Sequence, residues 1–134
     1  PDGRLHILDY KTGTPPTKEQ QRLFDKQLLL AACLAERGGF RQLGPIEVAR
    51  ISYVGLGTSP RVVSTEMTPD LTAETWDSLQ RLIARYMQRQ TGYTARRAMF
   101  ETQFPGDYDQ LSRFGEWEMT DRAQPVIVGP EEQS

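Results

Sequence analysis

The sequence predicts an α/β domain in which a mixed sheet is flanked by two long helices. Residues 5–11, 46–56 and 61–67 are short, rich in apolar and β-branched side chains, and bounded by Gly or Pro, as strands are. Residues 17–37 and 72–91 repeat their apolar side chains at the spacing of amphipathic helices. The second and third strand segments are close enough in sequence to form an antiparallel hairpin.

Length and composition limit what the chain can be. Its 134 residues suffice for one domain, and 37% hydrophobic with 25% charged residues is typical of globular proteins. The longest apolar run, residues 28–34, is far shorter than the ~18 residues of a membrane span. Cys33 is the single cysteine, which excludes an internal disulfide and any zinc or iron–sulfur site built from cysteines of this chain. We expect a cytoplasmic protein without a membrane segment.

The charge distribution is uneven although the net charge is only −2. Basic residues exceed acidic ones in residues 1–100, and the acidic excess lies in residues 101–134. A basic body with an acidic tail could bind nucleic acid, because the local field matters more than the total charge. The simpler interpretation is a solvated surface that ends in a polar segment.

The amino end predicts a turn followed by a strand. Asp2-Gly3 is a favoured pair for a tight hairpin turn, and such a turn requires a strand before it. We therefore expect the chain to be a piece of a longer protein. In the strand over residues 5–11, the spacing of two places Asp9 and Lys11 on the same face.

The first helix is predicted to begin at Thr17 and to run unbroken to about Arg37. Thr17 and Gln20 have the spacing of a capping box, and Gly38 follows the last residue of the pattern. The stripe expected to face the core consists of Leu23, Gln27, Leu30, Ala31 and Leu34.

The second helix is predicted to begin near Thr72 and to end or kink at Gly92. Leu71 and Trp76 would pack on each other across its first turn. Its apolar stripe consists of Trp76, Leu79, Leu82, Ile83, Tyr86 and Met87. Another face carries Arg81, Arg85 and Arg89, which could follow a DNA backbone; a solvated face or a subunit contact is the alternative.

Asp9 and Lys11 are the strongest candidates for chemistry. A carboxylate can bind Mg²⁺, which lowers the pKa of a bound water, and a neighbouring lysine can stabilise charge that develops on a phosphate. This combination suits phosphodiester hydrolysis. The alternative is an ion pair at the end of a surface strand.

The residues around this pair resemble a known motif. Residues 5–13, Leu-His-Ile-Leu-Asp-Tyr-Lys-Thr-Gly, resemble the third nuclease motif of the RecB-type branch of the PD-(D/E)xK nucleases. Residues 3–40 are similar to the B subunit of AddAB helicase–nucleases, and residues 107–118 to the carboxy-terminal end of its alphaproteobacterial form. The resemblance covers most of the chain and is most specific at Asp-Tyr-Lys-Thr-Gly.

This resemblance implies roles for individual residues. Asp9 would be the second metal-binding acid, Lys11 the catalytic lysine, and Gln27 the glutamine of a Gln-x-x-x-Tyr motif near metal and DNA. Ala31 stands at the tyrosine position, so that part of the motif is degraded. Mg²⁺ is the implied cofactor.

The resemblance also implies how the chain is organised. Residues 1–102 would form a partial nuclease core without the upstream strand that carries the first metal acid. Separately, the irregular pattern of residues 103–134 predicts an extended tail with a disordered end. We therefore expect this chain alone to bind Mg²⁺ weakly and to cut DNA negligibly. We expect no iron–sulfur cluster, with Cys33 as a core residue.

The implied partners are DNA, single-stranded after unwinding, and an AddA-type helicase subunit in the repair of double-strand breaks. The unpaired sheet edge could also make the isolated chain dimerise. A non-catalytic module that docks subunits or channels DNA is the main alternative, and a scaffold unrelated to DNA is a third.

Overall fold

A computed structural model describes residues 3–93, 110–111, 113, 115–118, 120–122 and 124. Within them the chain forms β1 (Leu5–Lys11), α1 (Lys18–Leu23), α2 (Gln27–Glu36), β2 (Val48–Gly55), β3 (Arg61–Glu66) and α3 (Pro69–Tyr86). Among the helices of this part, none is long and apolar enough to cross a membrane.

The sheet confirms the predicted α/β class. Its three strands lie in the order β1-β2-β3, with β1 parallel to β2 and β2 antiparallel to β3. The predicted first strand agrees with β1, and the predicted hairpin is formed by β2 and β3. Because β1 and β2 are parallel, the helical segment between them is the crossover that such a pair requires.

The core lies between the sheet and α2. Ile51 and Tyr53 of β2 are almost fully buried, and Leu28, Leu29 and Ala32 of α2 pack against the same cluster. Alternate residues of β1 face this core, as the spacing of two in a strand requires.

The single helix predicted over residues 17–37 is wrong, because the chain breaks between α1 and α2. Its start is confirmed: Gln20 N donates to Thr17 Oγ1 at 3.2 Å, and Thr17 N donates to Gln20 Oε1 at 2.7 Å. The segment that follows α1 is held by a residue distant in sequence. Tyr53 Oη donates to Asp25 Oδ1 at 3.0 Å and accepts from Leu28 N at 3.4 Å, which secures the bend.

The break also changes which side of α2 is buried. Leu23 and Leu34, expected in the core, are 53% and 43% exposed. The buried residues of α2 are Leu28, Leu29, Ala32, Cys33 and Ala35. Cys33 is thus a core residue, as expected from the sequence.

Helix α3 begins at Pro69, earlier than predicted. Leu71 N donates to Thr68 Oγ1 at 3.2 Å, so Thr68 caps the helix and Pro69 occupies the first position, where its missing N–H costs nothing. Thr72 is buried instead, and its hydroxyl donates to Glu36 Oε1 at 3.4 Å. The predicted apolar stripe is only partly correct, since Leu82 is 43% exposed.

The chain divides into two compact units, Pro1–Ala84 and Arg85–Ser134. In the second unit the rings of Tyr86 and Tyr93 stack, with centroids 5.0 Å apart, and Arg113 pairs with Glu116. Most of the predicted tail, residues 103–134, lies outside the described residues, and the division at residue 102 stays a prediction.

Candidate functional site

Asp9 and Lys11 lie at the carboxyl end of β1, on the face that packs toward α2. Lys11 Nζ is 3.0 Å from Asp9 Oδ2, and the side chains of Lys11 and Asp9 are 32% and 22% exposed. The alternation of strand side chains brings the two together as the sequence predicts. His6 lies on the opposite face, where its Nε2 is hydrogen-bonded to Ser52 Oγ at 2.8 Å.

Asp9 offers a carboxylate oxygen suited to a cation. Its Oδ2 is buried, and no described group donates to it a hydrogen bond of good geometry, although the Lys11 ammonium is near. A buried carboxylate oxygen that accepts no well-aligned hydrogen bond fits a hard divalent cation, which takes one or two carboxylates and completes its shell with water and phosphate oxygens. Within the described part of the chain, no three acidic, His or Cys side chains cluster as a metal site.

Gln27 joins the pair from another element. It is the first residue of α2, and its Oε1 accepts a hydrogen bond from Lys11 Nζ at 3.3 Å. The Lys11 ammonium therefore lies between a carboxylate and an amide oxygen. The structure brings together all three residues that the sequence singled out around this strand.

The ring of Tyr53 lies under the Lys11 ammonium, and the sequence analysis did not identify this residue. Its ring is fully buried, with the centroid 5.5 Å from Lys11 Nζ. Burial is the main cause that raises the pKa of Tyr53 to about 12, and its hydrogen bond to Asp25 adds to this effect. Tyr53 is the one aromatic residue of β2, and this is the signal that could have indicated it.

The loop after β1 is held against the end of β2. Gly55 is the register partner of Lys11, and Leu56 N donates to Lys11 O at 2.8 Å. A Cβ on Gly55 would lie 2.7 Å from Pro15 Cδ, so only glycine permits the buried Pro15 to pack there. This glycine fixes where the chain leaves Lys11.

The three arginines assigned to one helix face are not all on the helix. Arg81 and Arg85 lie on α3 and are exposed, but α3 ends at Tyr86 and Arg89 lies in the following turn. The prediction of a continuous stripe is therefore wrong for Arg89. Arg81 Nη2 donates to Ser78 Oγ at 3.3 Å.

Comparison with known proteins gives one match. The family model of the PD-(D/E)XK nuclease superfamily matches residues 1–110. No curated protein and no solved structure matches the chain significantly. The matched segment includes Asp9, Lys11 and Gln27, and Asp9-Tyr10-Lys11 spells the D/E-x-K part of the superfamily's name.

Proposed function

The chain belongs to the PD-(D/E)XK nuclease superfamily, and from this premise we propose that Asp9, Lys11 and Gln27 are part of a site that hydrolyses phosphodiester bonds of DNA. One observation carries the proposal. The Lys11 ammonium lies 3.3 Å from Gln27 Oε1 and 3.0 Å from Asp9 Oδ2, a buried oxygen that accepts no hydrogen bond of good geometry from the described residues.

Each side chain has a role that its position supports. Asp9 would hold a divalent cation, Mg²⁺ in this proposal, which when bound lowers the pKa of a water and offsets charge on the phosphate. Lys11 places a fixed positive charge where negative charge develops on the phosphate oxygens. Gln27 accepts from the Lys11 ammonium and so restricts its position while Asp9 is engaged with the cation.

The proposal extends to a finer assignment. The likeness of residues 5–13 to the RecB-type motif supports an exonuclease module of an AddB-type subunit, cytoplasmic, partnered by an AddA-type helicase and acting on single strands unwound at double-strand breaks. Among the described residues, no three acidic, His or Cys side chains join at this position, and we therefore propose that this chain alone binds Mg²⁺ weakly and cuts DNA negligibly.

A non-catalytic module is the second candidate. Ala31 stands one turn after Gln27, where the resemblance expects a tyrosine, so contacts of that side chain to DNA are absent. A superfamily member that had kept its fold for docking a subunit or channelling DNA would tolerate such a loss. The intact Asp9, Lys11 and Gln27 group favours the nuclease.

The test is digestion of end-labelled single-stranded DNA in Mg²⁺ by this chain and by the longest natural polypeptide that contains it. We expect Lys11→Ala to lower the rate about 100- to 1,000-fold, as loss of one charge-stabilising donor does. Arg41→Ala, which removes an exposed cation elsewhere, should leave the rate unchanged.

Two results would contradict the proposal. Digestion that survives Lys11→Ala would place the chemistry elsewhere. Absence of digestion by both polypeptides, with folding confirmed by circular dichroism, would favour the docking module.

A further inference from the structure

We propose that a groove between α1 and α3 binds the sugar–phosphate backbone of a single DNA strand and leads it to Lys11. This groove, named here the basic groove, has a volume of about 160 Å³. Lys18, Arg22 and Lys26 line one wall, and Glu74 and Ser78 of α3 line the other. The proposal rests on the proposed function and adds to it the path of the substrate.

The charge of the basic groove fits a phosphate backbone. Lys18, Arg22 and Lys26 face a single carboxylate, that of Glu74. Within the part of the chain that the structure describes, none of these three cations forms an ion pair. Arg81 does not line the groove, but its guanidinium donates to Ser78 Oγ of the opposite wall at 3.3 Å. Because these three cations have no carboxylate partner among the described residues, they can bind phosphate without first breaking an ion pair.

The floor of the basic groove is fixed by Gln21, which is only 3% exposed. Its Nε2 donates to Pro16 O at 3.1 Å, and its Oε1 accepts from Thr65 Oγ1 at 3.2 Å. One side chain thus ties α1 to the loop that follows β1 and to β3. The cations on α1 are therefore presented on a rigid support, which limits the entropy lost on binding.

Two consecutive residues of the chain connect the basic groove to the candidate site. Lys26 directly precedes Gln27, whose Oε1 accepts from Lys11 Nζ. A strand whose phosphates contact Lys18, Arg22 and Lys26 in turn would therefore reach Gln27 and Lys11 next. Lys18 and Arg22 lie on α1, and Lys26 lies at the N-cap of α2, the helix whose first residue is Gln27.

The test measures binding of a fluorescent oligothymidylate to the full chain in EDTA, where cleavage cannot occur. The double variant Lys18→Ala/Arg22→Ala should raise Kd about tenfold at low salt and reduce the slope of log K against log salt by about 1.4, or about 0.7 per lost phosphate contact. Arg41→Ala/Arg61→Ala removes the same charge elsewhere and should change Kd less than about twofold.

A variant that is expected to tighten DNA binding separates the loss of a cation from misfolding. Glu74→Gln removes the carboxylate of the basic groove and should tighten binding about threefold, which a damaged fold would not do. Equal binding by the two double variants would overturn the proposal. So would displacement of the DNA by a polyglutamate peptide at equal affinity, because the occupant would then be an acidic protein segment.

The outcome is separable from that of the proposed function. If the basic groove variants lose binding while no cleavage is seen in Mg²⁺, the DNA path stands and the nuclease activity fails. If Lys11→Ala abolishes cleavage while Lys18→Ala/Arg22→Ala binds DNA as the control does, the nuclease stands and the path fails.

Discussion

The ring of Tyr53 lies beneath the ammonium of Lys11, with 5.5 Å between the ring centroid and Nζ. The same side chain secures the start of α2, because its hydroxyl donates to Asp25 and accepts from Leu28 N. Gln27 is the first residue of that helix and accepts from Lys11. One buried residue therefore positions both the lysine and the glutamine of the candidate site.

Tyr53→Phe should destabilise the fold while keeping the ring beneath Lys11. The change leaves Leu28 N without its acceptor, and we expect the free energy of unfolding to fall by about 1–2 kcal/mol in urea titrations. Tyr53→Phe keeps an aromatic ring beneath the Lys11 ammonium, whereas Tyr53→Leu removes the ring and with it the cation–π attraction. We therefore expect Tyr53→Leu to cleave DNA more slowly than Tyr53→Phe. Equal cleavage by these two variants would show that the ring does not position Lys11.

Tyr53→Phe also tests the pKa of Tyr53, which burial raises from 10.0 to about 12. Below pH 10 the phenol is protonated in both folded and unfolded chains. Between pH 10 and 12 only the unfolded chain loses the proton, so stability falls as pH rises through this window. The fall attributable to Tyr53 is on the order of 2–3 kcal/mol. Between pH 10 and 12 we expect the wild type to lose that much more stability than Tyr53→Phe. Equal losses in the two proteins would contradict the raised pKa of Tyr53.

Asp9→Asn should separate stability from metal binding. Without divalent cations the variant removes the charge that pairs with the Lys11 ammonium at 3.0 Å, and we expect the free energy of unfolding to fall by up to about 1 kcal/mol. In Mg²⁺ only the wild type should gain stability, by an amount that grows with the cation concentration. Thermal denaturation with and without Mg²⁺ measures both effects. The exposed Asp77→Asn is the control, and an Mg²⁺-dependent gain that persists in Asp9→Asn would exclude Asp9 as a ligand.

Gly55→Ala should disturb the loop that leaves Lys11. The added methyl would lie 2.7 Å from Pro15 Cδ, and displacing the buried Pro15 costs about 1–3 kcal/mol. Gly57→Ala is a matched control, because its nearest neighbour, Thr12 O, would be at 3.5 Å, an ordinary contact. Chemical denaturation compares the two variants. A loss of stability in Gly57→Ala as large as in Gly55→Ala would refute the packing argument.

Cys33 should be an inert thiol in the folded chain. It is fully buried, desolvation raises its pKa, and its Sγ donates to Thr72 O at 3.5 Å. Thiolate is the reactive form, so we expect Ellman's reagent to modify the native chain very slowly and the unfolded chain at once. The measurement is the rate at which absorbance rises with Ellman's reagent, compared at increasing urea concentrations. Rapid modification of native chain would mean that α2 opens readily.

Several features could be predicted from the sequence because they depend on local patterns. The alternation in residues 5–11 determines that Asp9 and Lys11 share a face, and the capping box determines that α1 begins after Thr17. Both arise from neighbours in the chain, through strand geometry and a side-chain cap. The turn signals around the β2–β3 hairpin are of the same kind.

Other features depended on contacts between residues far apart in sequence. The segment between α1 and α2 is hydrogen-bonded to the hydroxyl of Tyr53, 28 residues beyond Asp25, and no helical pattern contains that hydrogen bond. The need for glycine at position 55 arises from Pro15, which reaches it only after β1 and β2 pair.

The sequence by itself determined the fold class and the strand that carries Asp9 and Lys11, and its resemblance to a nuclease motif indicated Gln27 as their companion. Tertiary structure alone decided that the Lys11 ammonium lies over Tyr53 and that Lys18, Arg22 and Lys26 share a groove with α3. The reason is physical: period and capping act over a few residues, whereas burial and electrostatic proximity are properties of the packed chain.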